Sequence, residues 1–363
     1  MPHNDGERPS PRGSEEAPFQ SRGIPPNATS AMARETTEAP DVVARLLADR
    51  SVWRPIVVAI ERRKPTIAVV CGRGSSGHVG VFLRYLIETR LGIPVSATAP
   101  SIITNFKRTL ALRGALFIVV SQSGRSPDLI AATADARSSG ALTVALINDA
   151  ESPVAHAAEF ILPIGAGPEV SIAATKSVIA SMVAAAQLIA ELDEDENLVN
   201  AVARLPERLS RALALDWSGC ADDLARARAV FVTARGFGLA PAHEIALKMA
   251  ETLRLPALSF SAAELMHGPR AAISHDTPVF TLRLADQTAG MIDTLVATLR
   301  ETGQRVHLCG GPASSLPWIG DDHPVTDAIT LLAPAYRLIE ATARRFDFDP
   351  DRPPHLSKVT ETV

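Results

Sequence analysis

Residues 115–128 read Ala115-Leu116-Phe117-Ile118-Val119-Val120-Ser121-Gln122-Ser123-Gly124-Arg125-Ser126-Pro127-Asp128. An apolar run rich in β-branched residues stops at hydroxyls, an amide and a glycine, and a helical pattern follows. That is a buried strand feeding a helix. The free N–H groups of the first helical turn and the serine hydroxyls can converge there on one phosphate. The stretch is no Walker loop, since Gly-Lys-Ser/Thr does not follow, and no dinucleotide fingerprint, since Gly-x-Gly-x-x-Gly is absent. Taken alone, it also fits an ordinary serine-capped turn.

The same alternation extends to either side. Thr66–Cys71 reads as a strand, followed by Gly72-Arg73-Gly74-Ser75-Ser76-Gly77 and a helix to about Arg90. Further strands are expected at Leu142–Ile147 and Phe160–Ile164. About 162 residues after the first turn the grammar returns: Ala229–Thr233 leads into Ala234-Arg235-Gly236-Phe237-Gly238. Glu88-Thr89-Arg90-Leu91-Gly92-Ile93-Pro94 is echoed by Glu251-Thr252-Leu253-Arg254-Leu255-Pro256, and strands are expected at Pro278–Leu282, Arg305–Cys309 and Ala328–Leu332. Continuous β-branched runs separated by helices predict an α/β fold of two tandem doubly wound parallel-sheet domains.

The expected organisation is a disordered extension over 1–37, a helical segment over 38–63 and a first domain over 64–195 carrying the phosphate cradle. A helical linker over 196–222, a second domain over 223–350 carrying acid–base groups, and a tail over 351–363 follow. The extension is dominated by Pro, Ser, Gly, Asn, Glu and Arg and has no apolar signal-peptide core. Met32 is a candidate alternative start, because the packed pattern begins just after it.

Composition narrows the class. The 363 residues are 46% apolar, enough for two cores, and no run of about 18 apolar residues suggests a membrane span. A net charge of −4 offers nucleic acid no basic field. Cys71, Cys220 and Cys309 are scattered, which suggests a reducing compartment and no metal site. A soluble cytoplasmic protein is expected. Arginine outnumbers lysine 31 to 5. The lysines that persist, Lys64, Lys107, Lys176, Lys248 and Lys358, are therefore candidates for chemistry that arginine cannot do.

Two groups of residues stand out. Gly74, Ser75 and Ser76 end one strand, and Ser121, Gln122, Ser123 and Ser126 end another; adjacent parallel strands would bring both turns to one crevice. Glu169-Val170-Ser171-Ile172-Ala173-Ala174-Thr175-Lys176 follows a further strand. In the second half, Glu244, Lys248 and Glu251 lie at i, i+4 and i+7, on one helical face. Glu264-Leu265-Met266-His267-Gly268-Pro269 holds a histidine at a rigid turn, a proton carrier suited to neutral pH. By composition alone, Asp351 to Val363 is a frayed terminus.

Together these elements resemble the sugar isomerase (SIS) family, above all the isomerase half of glucosamine-6-phosphate synthase and the SIS-type glucosamine-6-phosphate deaminases. The resemblance runs from about Met32 to Val363. It rests on Arg73-Gly74-Ser75-Ser76, Ser121-Gln122-Ser123-Gly124, Ala173-Ala174-Thr175-Lys176, Glu244 to Glu251, Glu264 to Pro269 and Leu356-Ser357-Lys358-Val359-Thr360. It implies a sugar phosphate held by Ser121, Gln122, Ser123 and Ser126, with Arg73, Gly74, Ser75, Ser76 and Ala173 alongside. It implies Glu251 as the base between C1 and C2, His267 as the ring-opening residue donated by a partner subunit, and Lys358 at the carbonyl end. Lys248 and Glu244 match buried supporting charges.

Two positions depart from the synthase pattern. Arg73-Gly74 stands where hydroxyl residues are found, leaving Ser75 and Ser76 as rival phosphate ligands, and Arg125 replaces a carboxylate. No upstream cysteine marks a glutaminase domain, so the resemblance implies deamination with isomerisation in a homodimer, with neither metal nor organic cofactor. Aldose–ketose isomerisation, amination with free ammonia, and a non-catalytic sugar-phosphate sensor are the rival readings.

Overall fold

The computed structural model describes residues 28–358. The chain enters through three helices, α1 (Ala31–Thr37), α2 (Ala39–Ala48) and α3 (Arg54–Arg63). The first sheet comprises β1 (Ala68–Cys71), β2 (Val95–Ala97), β3 (Leu116–Ser121), β4 (Leu142–Ile147) and β5 (Phe160–Pro163). Its helices are α4 (Ser75–Leu86), α5 (Ser101–Thr104), α6 (Pro127–Ser138), α7 (Pro153–Ala157) and α8 (Lys176–Leu192). Then α9 (Glu196–Ala203), α10 (Leu205–Leu213) and α11 (Ala221–Arg226) connect the halves. The second sheet comprises β6 (Val230–Ala234), β7 (Ala257–Ser261), β8 (Val279–Leu282) and β9 (Val306–Cys309). Its helices are α12 (Leu239–Leu253), α13 (Ala262–His267), α14 (Ala289–Glu301), α15 (Pro324–Thr330) and α16 (Leu332–Arg345).

All strand pairings are parallel, in the orders β2-β1-β3-β4-β5 and β7-β6-β8-β9. Every residue of β3 and β4 is buried, as strands covered on both faces require. Because Ala68 pairs with Leu116 and Cys71 with Val119, the turns after β1 and β3 emerge side by side. A single apolar core spans both halves and includes Phe82 of α4, Ile179 of α8, Ile245 of α12 and Tyr336 of α16. The outer faces carry smaller cores, one around Leu129 and Val154, the other around Leu265 and Leu295. From Lys176 to Ala190 every residue of α8 is buried, which its small and apolar side chains allow on all faces. No helix among the described residues is long and apolar enough to cross a membrane.

The structure departs from the sequence reading in four places. The last residues of the expected extension form α1, whose Met32 is wholly buried; residues 1–27 lie outside the described residues. The helical segment expected over 38–63 is broken at Asp49–Trp53 by a short 3-10 turn, with Pro55 opening α3. Two short edge strands, β2 and β7, went unread, since partial exposure interrupts their apolar pattern. The strand expected at Ala328–Leu332 is the junction of α15 and α16. A wholly buried apolar run has the same appearance in a helix as in a strand.

Candidate active site

A cavity of about 310 Å³ opens beyond the carboxyl ends of β1 and β3. The β1 turn lines it with Arg73, Gly74 and Ser76, and the β3 turn with Ser121, Gln122, Ser123 and Ser126. Leu129 and, from the C-terminal tail, Lys358 complete the wall. A larger hollow of about 720 Å³ lies between α1, the stretch Ala214–Ala221 and α16, but none of the expected site residues faces it. Chemistry rather than size marks the smaller one: it gathers hydroxyls, an amide and cations at strand ends, where parallel sheets bind ligands.

Local geometry explains the cradle. Gly124 has φ 64°, and a Cβ there would lie 2.1 Å from Ser152 Oγ, so only glycine makes this turn. The Gly124 N–H donates to Ser121 Oγ at 3.0 Å, which tightens the loop. Ser126 occupies the N-cap of α6, yet its hydroxyl makes no capping bond to that helix. Arg73 is held from below by Asp128, with Nη1 to Oδ2 at 3.0 Å and Nη2 to Oδ1 at 3.1 Å. A bidentate pair of this kind orients a guanidinium without consuming all five donors. Arg125 turns outward to Asp149 at 3.1 Å and is absent from the cavity wall.

The two rival serines separate. Ser76 faces the cavity, whereas Ser75 Oγ donates to Glu244 Oε1 at 3.0 Å. Ala173, expected alongside the phosphate, has its side chain wholly buried in the shared core and is not among the residues lining this cavity.

Behind the cradle, α12 carries its charges into the seam between the halves. Lys248, only 1% exposed, sits 2.5 Å from Glu251 Oε2 and 3.5 Å from Glu244 Oε1. Glu244 is equally buried and also meets His78 Nδ1 at 2.8 Å and the Tyr336 hydroxyl at 3.4 Å. Burial opposes its charge, but Lys248, His78 and Ser75 together prevail and hold its carboxyl below the usual range. Burial also opposes the Lys248 ammonium, and Glu244 and Glu251 reverse that effect and raise its proton affinity. Burial first, and then Glu244, push the Tyr336 phenol well above its usual value. His243, whose ring lies tilted at a centroid distance of 5.7 Å from that of His78, is driven down to about 4 by burial and by its neighbour, and is neutral at neutral pH.

Glu169 connects the two groups. It accepts from Thr175 N, Ser177 N and Ser177 Oγ, lies 3.3 Å from Lys358 Nζ, and its charge is felt by Lys248. Lys358 also donates to the Ser171 carbonyl at 2.6 Å. Glu251 is partly exposed and His267, the last residue of α13, is exposed; neither these two nor the buried Lys248 is among the residues lining the cavity of this chain. The sequence reading did not assign His78, Glu169 or Tyr336 to the site. Glu169 stood in a quoted segment, but nothing in its spacing distinguishes a buried acceptor from a surface acid. Among the described residues no His, Cys, Asp and Glu cluster is arranged to hold a metal ion. Val359–Val363, part of the resembling tail, lie outside the described residues.

The SIS domain pattern matches residues 62–191 and 223–318. An isomerizing glutamine–fructose-6-phosphate aminotransferase of Symbiobacterium thermophilum is 32% identical over 318 residues, which cover 80% of this chain and 50% of that protein. The chain thus spans about half the length of the curated relatives it matches. A solved structure from Silicibacter pomeroyi DSS-3, provisionally named a phosphosugar isomerase, has a TM-score of 0.85 and 36% identity, covering 89% of this chain and 100% of its own. The glucosamine-6-phosphate deaminase of Thermotoga maritima shares the fold at 21% identity and a TM-score of 0.75, covering 92% of this chain and 100% of its own.

Proposed function

The chain belongs to the SIS domain family, and from that membership we propose that it converts a 2-amino-2-deoxyhexose 6-phosphate and water to ketohexose 6-phosphate and ammonia. The observation that carries this reading is that Lys358 of the tail lines the same cavity as the serine turns of β1 and β3. A cavity that joins a phosphate cradle to an ammonium group suits an open-chain sugar phosphate. The names of relatives lend chemical support: fructose 6-phosphate and glucosamine 6-phosphate are the two sides of such a reaction.

In this proposal the phosphate rests on Ser76, Ser121, Gln122, Ser123 and Ser126, with Arg73 at its edge. His267, delivered by a second copy of the chain in a homodimer, assists ring opening. Glu251 removes the C2 proton while the aldehyde oxygen gains one beside Lys358, giving an enolamine. The proton then returns to C1, where the π electrons of the double bond form the new C–H bond while the nitrogen lone pair closes the C2 iminium. Water adds at C2, its proton passes to the nitrogen, and ammonia departs with the C2–N bonding pair as the C2 carbonyl forms and the remaining hydroxyl proton is released. Lys248 holds Glu251 in place by its 2.5 Å contact, and Glu244 anchors Lys248 in turn. Aldose–ketose isomerisation of a sugar phosphate without nitrogen uses the same residues, and the 36% identical Silicibacter structure favours keeping it as a second reading.

The test is to mix the protein with glucosamine 6-phosphate, and separately galactosamine 6-phosphate, and follow ammonia and ketose phosphate together. Equal release of both from one sugar establishes the deaminase and identifies its C4 stereochemistry. Ketose formed from an aldose phosphate with no ammonia from either aminosugar establishes the isomerase. Tight binding of a sugar phosphate without turnover rejects both in favour of a sensor.

A further inference from the structure

The first helix and the last described residues are remote in sequence yet bonded to each other. The N–H groups of Ala31 and Met32 donate to the Asp351 carboxylate at 2.7 and 2.8 Å, so the tail caps α1. Ser30 joins the same cap: its oxygen accepts from Ala33 N at 3.0 Å, and its hydroxyl donates to Glu340 Oε1 at 2.7 Å. One turn further on, Glu35, only 5% exposed, accepts the backbone N–H groups of Val170 and Ser171. Glu38, just past the helix end, pairs with Lys176 at 2.5 Å. The Asp351 carbonyl accepts from Ile172 N at 3.3 Å. The loop from Glu169 to Ile172 is thus gripped by α1 on one side and by the tail on the other.

That loop is what Lys358 rests on. Its ammonium donates to the Ser171 carbonyl, and the N–H of the same residue is fixed by Glu35. Burying a carboxylate is costly unless its lone pairs are filled, and an apolar residue would pack a helix here at less expense. What Glu35 contributes that an apolar residue does not is a fixed backbone position under Lys358.

We propose that α1 and Asp351 form a clasp that sets where Lys358 stands in the cavity, making Glu35 and Asp351 positioning residues of the reaction. The proposal rests on the reading that Lys358 meets the sugar. It also means that the segment before the first domain belongs to the site.

The experiment uses the full chain with Asp351→Ala, Asp351→Asn and Lys358→Ala, singly and with Asp351→Ala and Lys358→Ala combined. Asp351→Ala is expected to lower kcat by about tenfold to a hundredfold, as a displaced catalytic group does, with inorganic phosphate affinity nearly unchanged. Asp351→Asn, which keeps one of the two accepting oxygens, restores only part of the rate. In the Lys358→Ala background the Asp351→Ala change should cost little more, because both act through one group. Full additivity of the two losses, or an Asp351→Ala enzyme with unaltered kcat, overturns the clasp. Amide hydrogen exchange over residues 169–172 provides a reading free of turnover. If the wild type turns over no sugar, the functional reading fails. The clasp is then upheld by faster exchange there in Asp351→Ala and overturned by unchanged exchange.

Discussion

The turn after β1 and the turn after β6 begin alike and end in opposite uses. Gly72-Arg73-Gly74-Ser75-Ser76 corresponds to Ala234-Arg235-Gly236-Phe237-Gly238, so Phe237 stands where Ser75 does and Gly238 where Ser76 does. The first turn opens on the cavity through Arg73, Gly74 and Ser76. The second is closed: Gly236 has φ 62° and is so tightly packed that a Cβ would lie 3.2 Å from Asp286 and Thr288. Phe237 reaches across to the first half and meets Phe82 and Tyr85 edge-on, at centroid distances of 6.5 and 6.3 Å. One copy of the motif thus lines the cavity and the other glues the halves together. A duplicated fold repeats its strands and helices because both need parallel sheets, while a single side chain at the turn decides whether it receives a ligand or a neighbour.

The division of labour can be broken most forcefully at Glu251. Glu251→Gln is expected to lower kcat by about 10²- to 10⁴-fold, the range of a lost general base, while sugar-phosphate affinity stays within a few-fold. If affinity collapses too, the cradle and the α12 charges do not act as separate units.

Phe237→Ala tests the closed turn and should destabilise the protein by about 2 kcal/mol through lost packing, measured by urea unfolding, with inorganic phosphate affinity unchanged. Comparable loss of phosphate affinity would mean that the second turn also shapes the ligand site.

The seam itself responds to acid through His243. Its folded value of about 4 lies below the ordinary 6.5, so on acidification the unfolded chain takes the proton first. The stabilising contribution is complete above about pH 6.5 and disappears as pH falls towards 4. Replacing it by Gln should remove on the order of 2 kcal/mol of acid-induced loss between pH 7.5 and 4.5, after allowing for its partial exposure. An identical pH slope in both proteins would show that His243 is not held neutral.

The smallest effect belongs to the open turn. Ser76→Ala should weaken inorganic phosphate binding about fivefold, the worth of one hydrogen bond, and shift stability by less than about 0.5 kcal/mol. A loss of stability with intact binding would place Ser76 with Phe237 rather than with the cradle.

Legibility in the sequence followed burial. β4 matches the expected Leu142–Ile147 residue for residue, and β1, β3, β6 and β8 match within a residue or two, because strands covered on both faces must be apolar throughout; the edge strands β5 and β9, though partly exposed, keep enough of an apolar run to match as closely. The edge strands β2 and β7 are half exposed and left no such run. The wall of the candidate cavity is legible where its residues lie on strand-end turns, as Ser121 to Ser126 do. It was not legible where direction decides. Ser75 and Ser76 are neighbours at the start of α4, and one residue of helix turns a side chain by roughly 100°. One serine therefore points to the seam and the other to the cavity.

The sequence alone determined that two parallel α/β units follow one another, where their strand-end turns lie, and that the hydroxyl-rich turns fall in the first half and the Glu244, Lys248 and Glu251 face in the second. These are properties of local pattern, set by what each segment must bury or leave free. Only the tertiary structure decided that Ala173 faces the core, that Glu169 lies between Lys358 and Lys248, and that Asp351 caps a helix some 320 residues upstream. A carboxylate's partner depends on which backbone N–H groups the completed fold brings beside it, and no local pattern encodes a bond between the two ends of a chain.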